Sequence, residues 1–267
     1  MKHISNSKRW WDHYFRSNWL EKKGDEQTDF FSRLALKYLP EWIIKDIKTR
    51  RLGIVNMGCA EGQGVFRFSK FFNKNSITGL DFSQKAIDNA TKKFPDCKFV
   101  CEDIKKNRID YDVVYTSNVL EHFPSPLKII KMLLAHTKNY LVILVPFQEE
   151  KLHEQHAYSF DYDSFPLFID RFSLVCSTVI DTSIMKPTYW QGQQILVVYA
   201  SRSVMDKAKG TLASIVRNDI FQLETQIKRY KSEIKGLNEE IKKIYSGRLF
   251  RMAFLYYRLR DYFFKRG

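Results

Sequence analysis

Cysteine is scarce in this chain and never paired in a metal-binding spacing. Cys59, Cys97, Cys101 and Cys176 are all that 267 residues contain, and no CxxC occurs. That pattern argues against structural zinc and a disulfide framework, and it points to a reducing setting. No apolar run approaches the ~20 residues of a membrane span, and the opening MKHISNSKRWWDHYF lacks the apolar core of a signal peptide. The expected location is therefore the cytoplasm. Acidic residues thin out toward the end. Residues 1–199 hold 28 Lys and Arg against 23 Asp and Glu, whereas residues 200–267 hold 16 against 7. A basic excess confined to one end suggests a surface-binding appendage rather than a nucleic-acid-binding protein, so no nucleic acid partner is expected.

What is present supports a full core. Hydrophobic residues make up 44% of the chain, which excludes wholesale disorder. The length suits one α/β domain of roughly 200 residues plus an appendage. Four regions are expected: a helical cap over 1–50, an α/β domain over 51–202, a coiled-coil helix over 203–245 and a basic aromatic helix over 246–267.

The middle of the chain alternates strand and helix patterns. The run LGIVNMGCAEGQG, residues 52–64, passes from an apolar strand into a glycine-rich turn and then a helix over 65–72. Strands are predicted over 76–81, 98–101 and 111–117, with Ser83 capping a helix after the first of these and another helix over 125–136. The nearly unbroken apolar run at 140–146 reads as a central strand covered on both faces. Strands at 172–180 and 194–200 complete seven. The expectation is a doubly wound, mostly parallel sheet with a hairpin-like pair at its end. In such a sheet the ligand lies beyond the carboxyl ends of the strands, where strand order reverses.

Several residues fall there. Gly58, Gly62 and Gly64 open the turn, so that bare backbone N–H groups and a helix N-terminus face a nucleotide-like ligand. Asp81 ends the second strand 19 residues after Gly62, where a carboxylate can accept from two ribose hydroxyls. Asp103, after the third strand, can accept from an adenine amino group while Ile104 meets the ring edge. The plainer reading is that Asp81 and Asp103 cap the next turn or helix. The spacing Gly58-x-x-x-Gly62-x-Gly64 is not the GxGxxG of a dehydrogenase.

From Arg51 to Ala200 these motifs resemble the class I S-adenosylmethionine-dependent methyltransferases. The glycine loop, Asp81, Glu102-Asp103-Ile104, Tyr111-Asp112-Val113-Val114 and the segment Asn118-Val119-Leu120-Glu121-His122-Phe123 occur in that family's order. The resemblance implies S-adenosylmethionine as cofactor, held by Asn56, Gly58, Ala60, Gly62, Asp81, Phe82, Asp103, Ile104, Ser117 and Asn118. Asn56 stands where the family usually has an acidic residue, and Ala60 where glycine is common, which implies weaker cofactor binding.

Methyl transfer from a sulfonium is an in-line displacement, so alignment supplies much of the rate and a base is needed only for a protonated nucleophile. His122 and His156 are the candidate bases. His122 has the alternative role of a structural hydrogen bond, and no metal site is assigned. Trp10, Trp11, Tyr14, Phe15 and Trp19 cluster at helical spacing, either to stack on a ring-shaped acceptor or to pack on the sheet edge. With Gln27-Thr28 and the run that follows, they resemble the N-terminal part of methyltransferases of bacterial surface-polysaccharide pathways.

The second strong pattern lies near the end. Ile220, Leu223, Ile227, Tyr230, Ile234, Leu237, Ile241 and Ile244 recur in strict 3-4 alternation, which predicts a coiled coil and a homo-oligomer, dimer or trimer, through 220–244, the alternative being a single helix folded back on the α/β domain. Residues 248–267 interleave Arg and Lys with Phe and Tyr, a composition suited to an anionic membrane surface, with stacking on single-stranded nucleic acid as the rival reading. The combined expectation is methyl transfer to a hydroxyl of a lipid-linked or surface-polysaccharide sugar, at the cytoplasmic face of the membrane. A membrane-associated O-methyltransferase of a quinone-like molecule and a non-catalytic scaffold with a degenerate fold are the alternatives.

Overall fold

The computed structural model describes residues 6–73, 76–208, 212–247, 252 and 255–256. The chain divides into two compact units, Met1–Ile215 and Val216–Gly267.

The first unit is built on an eight-stranded sheet. Its strands are β1 (Ile54–Met57), β2 (Ile77–Asp81), β3 (Lys98–Cys101), β4 (Tyr111–Ser117), β5 (Thr137–Phe147), β6 (Phe168–Ile169), β7 (Phe172–Asp181) and β8 (Gln193–Ser201), in the spatial order β3-β2-β1-β4-β5-β8-β7-β6. The first five are parallel, and β8, β7 and β6 each pair antiparallel with their neighbour. The sequence predicted seven strands. The additional one, β6, has two residues, too few for an alternation of side chains to register. Strand order reverses between β1 and β4, so the crevice beyond their carboxyl ends is where this topology places a ligand.

Helices cover both faces. On one lie α2 (Gly24–Tyr38), α3 (Glu41–Arg50) and α4 (Gln63–Phe71), which with Phe30, Leu34, Ile43, Ile47 and Phe68 build the larger core cluster. On the other, α6 (Pro126–Ala135) packs Ile129, Ile130, Leu133 and Leu134 against β5 and β8. Proline at the first position of α6 gives up only an N–H that the helix would leave unpaired. Two serine caps fix the elements nearest the crevice. Ser7 accepts from the Trp10 N–H at the start of α1 (Lys8–Ser17), and Ser83 accepts from the Ala86 N–H at the start of α5 (Gln84–Lys93). A third apolar cluster then joins Phe15, Trp11 and Trp19 to Ala60 and Ala86, seating α1 on the glycine loop. The last helix of this unit, α7 (Arg202–Ala208), buries Val204 in the core.

Most of the second unit's described residues belong to α8 (Leu212–Ser246), one continuous helix of 35 residues that begins within the first unit. The segment 248–267, predicted to bind a membrane surface, lies outside the described residues except for Met252, Leu255 and Tyr256, which are exposed. Among the described residues no helix is long and apolar enough to cross a membrane.

Candidate active site

The glycine loop leaves β1 through three residues of positive φ: Gly58 at +76°, Ala60 at +48° and Gly62 at +90°. The N–H groups of Gly58 and Cys59 both donate to the Leu80 carbonyl, at 2.8 and 3.0 Å, tying the loop to β2. A Cβ on Gly62 would stand 2.7 Å from the Phe99 ring and 3.1 Å from the Ala90 Cβ, so only glycine lets the loop sit against β3 and α5. Glu61 faces away from the crevice. Its buried carboxylate accepts from Asn89 and pairs with Lys93, which also pairs with Asp25.

Asp81 is the hinge of this end of the site. One carboxylate oxygen accepts the Ala60 N–H at 3.0 Å and the other the Ser83 N–H at 2.9 Å. Burial pushes its pKa up to about 6, with the two N–H donors opposing and the nearby Asp12 carboxylate adding to the rise. Asp12 itself accepts from the Ser83 hydroxyl at 2.5 Å, which links α1 to the same turn. Each Asp81 oxygen has spent one lone-pair direction on the backbone and retains another for a ligand. Asn56 is buried at the end of β1 with α4 close upon it, because Gly64 offers no Cβ, which would lie 2.8 Å from the Asn56 Nδ2.

A cavity of about 880 Å³ opens over these strand ends. Asn56, Gly58, Ala60, Asp81, Phe82, Asp103, Ile104, Ser117 and Asn118 line it, as do both candidate bases. Gly62 does not; it shapes the loop from behind. Asp103 also caps a turn, accepting the Lys105 N–H at 2.9 Å, so the plainer role read from the sequence coexists with a place in the wall. Asn118, at φ +51°, donates to the Ser117 hydroxyl and accepts from Gln194, which fixes the end of β4.

Another part of the cavity wall is assembled from loops. The His122 Nδ1 lies 2.9 Å from the Gln155 carbonyl, an acceptor only, so Nδ1 carries the hydrogen and Nε2 is left bare. Burial holds this ring well below the ordinary range, at about 4, against the opposing pull of that carbonyl. This bond, with the Ala157 and Tyr158 N–H groups donating to the Glu121 carbonyl, is the structural fastening weighed above for His122. His156 is different. Its Nδ1 lies 2.9 Å from both oxygens of Glu149, with side chains only 7% and 4% exposed, and its ring stacks on Trp190 at 5.6 Å. A carboxylate on Nδ1 fixes the ring's tautomer and directs Nε2 away as a proton acceptor. The Trp11 ring meets His122 at 5.2 Å, so the N-terminal aromatics close over this end of the cavity.

Glu149 and Trp190 were not among the residues picked out from the sequence. Glu149 sits seven residues before His156 in a non-periodic loop, and Trp190 arrives from the connection between β7 and β8. Glu121 is also more than a motif residue. It is buried in the cavity wall, its Oε2 finds no hydrogen-bond partner among the described residues, and burial, with Glu149 nearby, pushes its pKa up to about 8. At neutral pH it is a carboxylic acid. Among the described residues no three His, Cys, Asp or Glu side chains are grouped to hold a metal.

The sheet order and the cavity over its switch point define a Rossmann-like methyltransferase fold. Comparison with known proteins makes that specific. Residues 54–140, about a third of the chain, match the family described as "Methyltransferase domain". A malonyl-[acyl-carrier protein] O-methyltransferase of Bacillus cereus is 27% identical over 115 residues, covering 41% of this chain and 43% of the relative. The Bacillus anthracis protein of the same name is 25% identical over 109 residues, covering 39% and 40%. The chain thus spans less than half the length of these curated relatives. Among solved structures, magnesium protoporphyrin IX methyltransferase from Synechocystis with bound SAM shares the fold at a TM-score of 0.56 and 15% identity, over 75% of this chain and 100% of that one. The plantazolicin methyltransferase BpumL in complex with SAH does so at 0.50 and 18%, over 73% and 95%.

Proposed function

We propose that this chain is an S-adenosylmethionine-dependent O-methyltransferase whose acceptor is a hydroxyl of a lipid-linked or surface-polysaccharide sugar. The observation that carries the reading is a single cavity with Asp81 at one end and the Glu149–His156 pair at the other.

The groups at the first end fit the cofactor by their chemistry. Asp81, Asp103, Ser117 and the Asn56 amide present acceptors to a ligand rich in donors: two ribose hydroxyls, an adenine amine and an ammonium. Asn56 can accept from that ammonium but brings no charge to it, so affinity is lower than a carboxylate would give. When bound, the sulfonium supplies an electrophilic methyl group. The protein aligns the acceptor and takes its proton. His156 Nε2 receives the hydroxyl proton, and Glu149 stabilises the imidazolium that results. An acceptor that is already ionised, such as a carboxylate, would have no use for this base. Trp11, Trp190 and Tyr189 offer faces on which a sugar ring can stack. The basic aromatic sequence 248–267 supports an acceptor held at an anionic membrane face.

The test incubates the intact protein with methyl-labelled S-adenosylmethionine and extracted lipid-linked glycans. Label should enter the glycan, and His156→Ala should abolish transfer while cofactor binding persists. Absence of cofactor binding by the intact protein would replace this reading with a non-catalytic scaffold. Binding without transfer to any glycan would remove the sugar acceptor.

A further inference from the structure

The apolar stripe of α8 has no cover within its own helix. Ile227, Tyr230, Ile234, Leu237, Ile241 and Ile244 are exposed by 50, 51, 58, 58, 47 and 63%. They recur every three and four residues along a helix that at 1.5 Å per residue is about 50 Å long. The residues between these positions in the sequence are Lys, Arg, Glu, Asn, Gly and Ser. A row of six such side chains left in water is unfavourable, and the sequence itself specifies what fits it. We infer that α8 pairs with α8 of a second copy of this chain, parallel and in register, as a two-stranded coiled coil.

Three features support that partner over another. First, a heptad stripe is complementary to itself, since each a and d side chain fits between four residues of an identical helix. Second, isoleucine at the a positions Ile227, Ile234 and Ile241 with leucine at the d position Leu237 favours two parallel strands, a preference that Tyr230 and Ile244 at the other d positions dilute without reversing. Third, the flanking charges choose the direction. In a parallel pair the residues that meet across the seam are Gln226 with Lys231, Glu233 with Asn238 and Glu240 with Tyr245, and no like charges meet. An antiparallel pair overlapping the same stripe would set Glu233 against Glu233 and Lys231 against Lys231, two repulsive contacts at its centre.

Gly236 lies outside the stripe, and a Cβ built there meets nothing within 4 Å. Its effect is therefore a loss of helix propensity rather than a packing requirement. The parallel direction also matters for the chain's last twenty residues. In a parallel pair the basic sequence 248–267 of each copy follows the same end of the coiled coil, so weak contacts of each with an anionic surface would act together as one bivalent contact.

The measurement is the mass of the intact protein in solution, by sedimentation or light scattering at micromolar concentration. The wild type should show twice the 31.8 kDa of one chain. Ile234→Asp with Ile241→Asp should give a monomer whose cofactor binding matches the wild type. Gly236→Ala should shift the dimer's dissociation to lower concentration. Under oxidation, Leu237→Cys should form a disulfide-linked dimer that the wild type, with its own four cysteines, does not; an antiparallel pair would place residue 237 opposite Ile227 and leave it unlinked. A monomeric wild type, a dimer that survives the double substitution, a trimer mass, or an unlinked Leu237→Cys dimer would each overturn the proposal. None of these outcomes depends on whether the chain transfers a methyl group.

Discussion

At the proposed cofactor end of the cavity, the candidate ligand-facing groups stand at strand ends and are held by backbone; at the proposed acceptor end, they stand on loops and are held by one another. Asp81 is fixed by two N–H groups from a glycine turn and a helix cap. His156 is fixed by a carboxylate seven residues away and by an indole from a different connection. The first arrangement can serve any reaction that uses the same cofactor. The second is free to change with the acceptor, because exchanging a loop there leaves the sheet untouched.

Substitutions at the acceptor end should therefore alter turnover and spare cofactor affinity. His156→Ala removes the proposed general base and should lower turnover by ~10²–10⁴-fold. Steady-state kinetics with cofactor titration separates this from a binding defect, and an unchanged rate would remove His156 as the base. Glu149→Gln keeps the size of the side chain and deletes its charge. Losing a charge-assisted hydrogen bond of about 1.5–3 kcal/mol corresponds to roughly a tenfold to hundredfold fall in rate. Cofactor affinity should stay at the wild-type value; an unchanged rate would reduce Glu149 to a loop fastener.

A smaller effect concerns stability. Glu121 is held at about 8 against an ordinary 4.5, so between these values the folded protein keeps a proton that the unfolded chain gives up. Stability should fall as pH rises through that window. His122, held at about 4 against 6.5, acts oppositely below pH 6.5, and Asp81 completes its own fall by about 6. The pull of His122, and of His153, whose pKa burial also lowers, fades above about pH 7, so comparing thermal melts of the wild type and Glu121→Gln between pH 7 and 8 reads Glu121. The wild type should lose melting temperature over that range and Glu121→Gln should not; parallel curves would show that Glu121 is already ionised at neutral pH.

The same contrast explains what could be read from the sequence. The strands and the glycine loop were legible because alternation, apolar runs and turn residues are local signals, and β3 and β4 fall on their predicted residues. The place of Asp81 in the cavity wall was legible because it follows from its distance along the chain from a loop of known shape. The pairing of Glu149 with His156 leaves no period, and among the acidic residues of PFQEEKLHEQH nothing marks the one whose side chain turns inward. Trp190 is 34 residues from the ring on which it stacks. Glu61 sits within the most informative motif yet serves a salt bridge to α5, a tertiary fact that composition does not encode. Two-residue β6 was missed because so short a pairing is decided by β7 beside it.

The central claim is that one cavity holds two functionally separate ends, and calorimetric titration with S-adenosylmethionine tests it most directly. The wild type and His156→Ala should bind with equal affinity. Asp81→Ala, checked for intact folding, should bind at least about tenfold to a hundredfold more weakly for each lost charge-assisted hydrogen bond. Equal weakening by the Asp81 and His156 substitutions, or no binding by the wild type, would contradict it.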